Sequence, residues 1–110
     1  MIMNKYEIEI YETLDGKEPF TIWYQSIKDL KTKIRIDKRI DRIQEGNFGD
    51  YKAISQDLYE LRLTFGSGYR IYYTVENNKL VMLLVGGDKG SQSSDIQKAK
   101  SYLKEYKENK

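Results

Sequence analysis

The stretch that decides the fold is LYELRLTFGSGYRIYYTV, residues 58–75. Its two halves alternate with period two, and Gly66-Ser67-Gly68 between them is typical of a tight hairpin, so strands are predicted at 58–65 and 69–75. One face of this hairpin is apolar and carries Leu61, Leu63, Phe65, Tyr69, Ile71, Tyr73 and Val75. The opposite face carries Glu60, Arg62, Thr64, Arg70, Tyr72 and Thr74.

Shorter strands are predicted on both sides of the hairpin. Residues 51–55 precede it, and residues 79–86 follow it through Asn77-Asn78, a pair that tolerates the positive φ of a two-residue turn. Strand 79–86 is apolar on both faces, which predicts a central place in the sheet. Near the start of the chain, the alternating segment Tyr6 to Tyr11 predicts one more strand.

Three helices complete the predicted order of elements. Pro19 suits the first position of a helix whose apolar stripe is Phe20, Trp23, Tyr24 and Ile27. A second helix is expected from about Asp29 to Glu45, ended by Gly46. Its inward residues are expected to be Leu30, Ile34, Ile40 and Ile43, and its basic residues, Arg39 among them, are expected to face outward.

The last helix is expected to open near Ser94, because Ser94-x-x-Gln97 fits a capping box. Its packing stripe is Ile96, Ala99, Leu103 and Tyr106. These elements predict one α+β domain over residues 1–110, in which two N-terminal helices pack on an antiparallel sheet of four to five strands, with a C-terminal helix added.

Composition excludes several kinds of chemistry. The chain has neither cysteine nor histidine, so disulfides, thiol catalysis and zinc-finger metal sites are excluded, and no metal or other cofactor is expected. The net charge of +2 is too small to indicate nucleic-acid binding by itself. Residues 1–11 carry Lys5, Glu7 and Glu9, so neither a signal peptide nor a membrane span is expected there, and a cytoplasmic location is predicted.

Strand pairing predicts where the cations of the hairpin lie. If the glycine loop pairs Phe65 with Tyr69, Arg62 faces Tyr72 and Arg70 lies one diagonal step away. If the Asn77-Asn78 turn pairs Val75 with Leu80, Arg70 lies opposite Val85. Gly86-Gly87-Asp88-Lys89 then returns Lys89 to the same edge, and the glycine pair is expected to let a substrate approach the backbone closely.

Three cations and a tyrosine at one edge of a sheet suit a phosphodiester. In RNA cleavage, the ribose 2′-hydroxyl attacks the adjacent phosphorus and negative charge builds on the non-bridging oxygens. Arg62 and Arg70 can stabilise that charge with paired N–H donors, and Lys89 can do so as a point charge or protonate the departing 5′ oxygen. The alternative is that both arginines form surface ion pairs with Glu60, Asp88 or Asp50, and residue types leave the two interpretations equally open.

Several segments of the chain, in order and with compatible spacing between about residues 5 and 106, resemble a known family. They are Lys17-Glu18-Pro19-Phe20, Arg35-Ile36, Gly46-Asn47-Phe48-Gly49-Asp50-Tyr51-Lys52, Tyr59-Glu60-Leu61-Arg62, Gly68-Tyr69-Arg70-Ile71-Tyr72-Tyr73 and Leu83-Leu84-Val85-Gly86-Gly87-Asp88-Lys89-x-x-Gln92. Together they resemble the RelE/ParE superfamily, and within it the HigB-like "addiction module killer" toxins.

This resemblance implies a RelE-like fold and a toxin of a type II toxin–antitoxin system. Such a toxin is neutralised by a cognate antitoxin in a hetero-oligomer, and RelE-like members cut mRNA on the ribosome without metal. The resemblance assigns catalysis to Arg62, Arg70 and Lys89. Tyr72, Lys52 and Gln92 are predicted to contact RNA, with Tyr72 as a stacking residue or a substitute acid.

The sequence also departs from the pattern of these toxins. Glu60 stands where a lysine is typical, Asp95 lies near the place of a catalytic tyrosine, and the histidine used by some HigB-like toxins is missing. Two other functions therefore stay open. One is a ParE-like inhibitor of DNA gyrase without nuclease activity, and the other is an inactive binding module of the same fold.

Overall fold

The computed structural model describes residues 5–110, and the first four residues of the predicted domain and N-terminal segment lie outside this range. In chain order the elements are β1 (Glu7–Ile10), α1 (Pro19–Ser26), α2 (Leu30–Gln44), β2 (Tyr51–Ser55), β3 (Leu58–Arg62), β4 (Arg70–Glu76), β5 (Leu80–Gly87), a 3₁₀ turn (Lys89–Ser91) and α3 (Gln92–Glu108). The predicted α+β class, with two N-terminal helices and a C-terminal helix, is confirmed.

The five strands form one mixed sheet in the order β1-β5-β4-β3-β2. Strands β2 to β5 are antiparallel, as predicted, whereas β1 pairs with β5 in parallel. The parallel pair is possible because two helices and three strands separate β1 from β5 along the chain, which is ample length for a crossover. Strand β5 lies between β1 and β4, as its apolar character on both faces predicts.

Each face of the sheet has its own core. On one face Leu61, Ile71 and Tyr73 pack with Phe20 of α1 and with Ile36 and Ile43 of α2. On the other face, Leu58, Tyr72 and Leu84 pack with Ala99 and Leu103 of α3. Alternation along β3 and β4 therefore places Glu60, Arg62, Arg70 and Tyr72 on the face that α3 covers, at the end of the sheet where β4 begins.

The pairing of the central strands differs from the predicted register. Arg62 lies opposite Arg70 rather than Tyr72, and Tyr72 lies opposite Glu60. The cause is the loop after β3, because Thr64 and Phe65 leave the ladder and make the connection longer than Gly66-Ser67-Gly68 alone.

A second shift moves β5 along β4. Asn77 and Asn78 both have positive φ, as expected, but Lys79 joins the loop and Glu76 pairs with Leu80. A β-bulge between Tyr72 and Tyr73 adds a further step, so Arg70 lies opposite Gly87 and not Val85. Bulges of this kind re-aim side chains beside functional sites.

Two helix predictions were wrong in detail. Helix α2 buries Thr32, Ile36 and Ile43, while Leu30 and Ile34 are exposed. The helix face that packs on the sheet is therefore rotated from the predicted one. Helix α3 begins at Gln92 instead of Ser94, because Asp88 and Ser91 form the capping box of the preceding 3₁₀ turn.

Arg39 is directed inward from α2, against the prediction. Its Nη1 donates to the carbonyl of Arg62 at 2.7 Å, and its Nη2 donates to the carbonyl of Phe48 at 3.1 Å. One guanidinium therefore ties the end of β3 to the loop before β2. The carbonyl of Arg62 at the end of β3 and the carbonyl of Phe48 before β2 thereby each gain a hydrogen-bond donor.

Candidate functional site

Two arginines face each other directly across β3 and β4. Arg62 and Arg70 are register partners and project to the α3 side of the sheet. Their side chains are 33% and 14% exposed, so both are partly desolvated but open to solvent. Two guanidinium groups this close repel each other, and a carboxylate between them offsets that repulsion.

Glu60 is that carboxylate, and it is fully buried. Its Oε1 accepts from Nε of Arg62 at 2.9 Å and lies 3.8 Å from Nε of Arg70. Its Oε2 accepts from the hydroxyl of Tyr72 at 3.0 Å and from the side-chain amide of Gln92 at 2.7 Å. A buried charge is tolerated when it is paired and hydrogen-bonded in this way.

The pKa values of this cluster follow from the same contacts. Burial acts to raise the pKa of Glu60, but hydrogen bonds from Gln92, Arg62 and Tyr72 outweigh it and hold that pKa below its ordinary value. The hydrogen bond to Glu60 raises the pKa of Arg62. Burial, then the charge of Glu60, raises the pKa of Tyr72. Glu60 is therefore ionised at neutral pH, while Tyr72 keeps its proton.

Arg70 is held by the loop that precedes it. Its Nη1 donates to the carbonyls of Gly68 and Tyr69 at 3.1 and 3.2 Å. Its Nε is buried and has no hydrogen-bond partner among residues 5–110. Because that Nε is closed to solvent, an anion can reach Arg70 only at the outer N–H groups of its guanidinium, and a side chain already held in place needs little reorganisation on binding.

Lys89 approaches the arginines through the glycine loop. Its backbone N–H donates to the carbonyl of Ser67 at 3.4 Å, and a Cβ built on Gly68 would lie 3.3 Å from Cβ of Lys89 and 3.6 Å from Nη1 of Arg70. Lys89 itself is exposed. The side-chain stem of Lys89 and the guanidinium of Arg70 therefore both lie beside Gly68, at the end of the sheet where Arg62 pairs with Arg70.

The three residues predicted to contact RNA occupy different environments. Lys52 is exposed on β2 and pairs in register with Glu60, one strand beyond Arg62. Tyr72 is fully buried, so no face of its ring is open to a stacking base. Gln92 directs its amide to Glu60. Tyr72 and Gln92 thus support the carboxylate that holds the arginines.

The ion-pair alternative is resolved in favour of one partner. Of Glu60, Asp88 and Asp50, only Glu60 forms an ion pair with Arg62 or Arg70 within the described residues, and its carboxylate is buried while the arginines stay partly exposed. Sequence reasoning missed this organising role of Glu60. The available signal was its position two residues before Arg62, on the same face of the strand.

The glycine pair at the end of β5 serves the protein's own packing, which corrects the predicted substrate approach. A Cβ on Gly86 would enter the indole ring of Trp23, and a Cβ on Gly87 would enter the carboxylate of Asp95. Asp95 is itself buried and accepts a hydrogen bond from the hydroxyl of Ser91. Each glycine therefore makes room for a side chain on one face of the sheet.

Two general features of residues 5–110 bear on the kind of site present. This part of the chain has no group of three carboxylate, histidine or cysteine residues able to hold a metal ion. None of the helices in the same range is long and apolar enough to cross a bilayer.

Comparison with known proteins places the chain in a family. Residues 25–107, which include both arginines, Glu60 and Lys89, match the family described as "Phage derived protein Gp49-like (DUF891)". An "Uncharacterized protein" of Haemophilus influenzae is 45% identical over 86 residues, which cover 78% of this chain and 87% of that protein. The chain belongs to the Gp49-like (DUF891) family.

Proposed function

We propose that this Gp49-like protein is the toxin of a type II toxin–antitoxin system and acts as a ribosome-dependent, metal-independent mRNA endonuclease. The observation that carries the proposal is the direct pairing of Arg62 with Arg70 over a buried carboxylate, with the side-chain stem of Lys89 beside Gly68 in the adjoining loop. The resemblance of the surrounding segments to RelE-like and HigB-like toxins supports the same conclusion. Its site of action is the cytoplasm, where ribosomes translate.

The arginines supply electrostatic stabilisation. The 2′ oxygen forms a bond to phosphorus while the bond from phosphorus to the 5′ oxygen breaks, which yields a 2′,3′-cyclic phosphate and a free 5′-hydroxyl. Charge that builds on the non-bridging oxygens is received by N–H groups of Arg62 and Arg70 that Glu60 leaves free. Lys89 donates a proton to the departing 5′ oxygen, and the proton of the 2′-hydroxyl passes to water.

Glu60 is a positioning residue in this scheme. It is fully buried, so it does not touch RNA, but it holds the Arg62 side chain and lies within ion-pair distance of Arg70. Tyr72 and Gln92 act through Glu60 in the same way. Lys52, exposed on the next strand, contacts the RNA backbone beyond the scissile phosphate.

The test is induced expression in bacteria followed by primer extension on cellular mRNA. The wild type should arrest growth and produce cuts inside translated frames. Arg70→Ala should reduce cutting by about 100-fold or more, the size of effect expected for loss of a transition-state donor. Arg70→Lys should rescue only part of it, because lysine lacks the planar fork of donors.

The matched control is Arg42→Ala, which removes an exposed arginine from α2 and leaves the sheet intact. It should cut like the wild type. Intact mRNA together with gyrase-linked DNA breaks would instead establish the ParE-like activity, and neither effect would establish an inactive module. Co-purification with the product of the adjacent reading frame tests the antitoxin, and failure to associate would overturn that part of the proposal.

A further inference from the structure

A cleft of about 730 Å³ opens beside the cation cluster, between α1 and α3. Strand β1 pairs with β5 only as far as Ile10 opposite Leu83, although β5 continues to Gly87. The last residues of β5 are therefore not paired with β1, and residues 85–87 line the cleft. Its volume falls in the range of small-molecule sites.

The walls of this cleft carry aromatic residues, and its lining includes three lysines and three aspartates. Trp23 of α1 and Tyr102 of α3 line opposite sides, and Lys17, Lys28 and Lys98 stand at the lining as exposed ammonium groups. Aromatic walls suit an unstacked nucleobase, and the exposed lysines suit the phosphates on either side of it.

One ionisable group is buried in the lining. Asp95 is 6% exposed, and it forms no ion pair with any cation of the described residues. Its Oδ2 accepts from Ser91, but a carboxylate has about four acceptor sites, so it can accept more hydrogen bonds. A buried carboxylate without a cationic partner needs donors, and a ligand entering the cleft can supply them.

The chemistry of a carboxylate selects among the bases. Guanine presents two adjacent donors, N1–H and the 2-amino group, to which a carboxylate can accept side by side. Adenine and cytosine place a ring-nitrogen acceptor beside their amino group, and uracil flanks its single N–H with carbonyl oxygens. A carboxylate repels those acceptors and favours guanine.

The cleft and the cation cluster are close enough to hold parts of one RNA strand. Gly87 lines the cleft and is the register partner of Arg70, while Ser67 lines the cleft and accepts from the backbone of Lys89. We propose that the cleft binds a guanine base of the mRNA next to the scissile phosphate, with Asp95 accepting from its Watson–Crick edge. This inference rests on the proposed endonuclease function and names its base preference.

The test uses Trp23 as a reporter, since it is the one tryptophan of the chain and lines the cleft. Its indole N–H resonance is followed by NMR in the wild-type protein during titration with guanosine 5′-monophosphate and with inosine 5′-monophosphate, which lacks the 2-amino group. The guanosine nucleotide should give a saturable shift, and the inosine nucleotide should bind about tenfold more weakly, because it cannot make one hydrogen bond to a charged group. No saturable shift, or equal affinities, overturns the inference without any variant.

A variant adds a readout that a purely structural role of Asp95 would not move. Asp95→Asn replaces one acceptor by a donor, and an amide pairs well with adenine. The ratio of guanosine to adenosine 5′-monophosphate affinity should therefore fall at least tenfold. Asp41→Asn, which changes an exposed carboxylate on α2 outside the cleft, should leave the ratio unchanged. An unchanged ratio in the folded Asp95 variant would overturn the inference.

Cleavage mapping keeps this inference separate from the proposed function. Cuts that depend on Arg70 but show no guanine preference would refute the guanine site in the cleft and support the endonuclease function. Binding of the guanosine nucleotide in the cleft without any cutting of mRNA would refute the endonuclease function and would show that the cleft is a nucleotide-binding site.

Discussion

Glu60→Gln is the most informative single change in the buried cluster. In the wild type the carboxylate accepts hydrogen bonds from Arg62, Tyr72 and Gln92 and lies near Arg70. The glutamine carbonyl can still accept from Tyr72 and Gln92, but its NH₂ group then meets Nε–H of Arg62, donor against donor. One charge-assisted hydrogen bond is lost outright, and such bonds contribute about 1.5–3 kcal/mol.

We therefore expect Glu60→Gln to lower the free energy of unfolding by about 2–3 kcal/mol at neutral pH. Unfolding entropy of about 2 cal/mol/K per residue converts this to a fall in Tm of about 9–13 °C for a domain of this length. Urea unfolding followed by far-UV circular dichroism measures it. Asp57→Asn is the control, because the Asp57–Lys107 pair is exposed and asparagine tolerates the positive φ at this position. It should cost less than about 1 kcal/mol.

The pH dependence of this loss provides a second check. Because the pKa of Glu60 is lower in the folded than in the unfolded protein, the unfolded chain takes up its proton first as the pH falls. The stabilisation is complete above the ordinary glutamate pKa of 4.5 and disappears below it, as the pH falls through the folded pKa. The gap between wild type and Glu60→Gln should therefore close in acid. A gap no larger than that of Asp57→Asn, or one independent of pH, would refute the reasoning.

Three further changes test the packing around the site. Gly86→Ala drives a methyl group into the ring of Trp23 and should lower the free energy of unfolding in urea by about 1–3 kcal/mol. The loss should be smaller in a Trp23→Leu background, and the control Gly90→Ala should be nearly neutral. Equal losses for Gly86→Ala and Gly90→Ala would contradict this prediction. Arg39→Met removes the donors to two backbone carbonyls and should lower the free energy of unfolding by about 2–3 kcal/mol, and a neutral result would show that the tie is dispensable. Burial, with a hydrogen bond to a carboxylate, raises the pKa of Tyr106 to about 12. The unfolded chain therefore ionises first, and stability should fall as the pH rises from 10 to 12. Tyr106→Phe should reduce this fall in Tm, and parallel curves of Tm against pH for the variant and the wild type would refute it.

Local pattern was sufficient to predict most of the elements. Alternation put Arg62 and Arg70 on one face of neighbouring strands, and Pro19, Gly46 and Asn77-Asn78 marked boundaries that the structure confirms. These features depend on backbone geometry that each residue type imposes by itself, so they can be read without knowledge of the tertiary structure.

Register and burial needed tertiary information. The loop after Arg62 and the bulge at Tyr72 decide which residues face each other, and neither has a distinct residue signature here. Glu60 would not be expected in a core, and only donors from three different elements make its burial tolerable. In α2, the helix face that contains Ile34 and the face that contains Ile36 both carry apolar residues at helical spacing. Packing against the sheet buries the face with Ile36.

The most direct test of the central claim is cleavage of a defined mRNA on purified ribosomes by the purified protein. The wild type should produce fragments that end in a 2′,3′-cyclic phosphate and begin with a 5′-hydroxyl. Arg70→Ala, shown to be folded by circular dichroism, should form them at a rate lower by about 100-fold or more, while Arg42→Ala keeps the wild-type rate. Equal rates for Arg70→Ala and the wild type would contradict the account, because the paired arginines would then have no part in receiving the scissile phosphate.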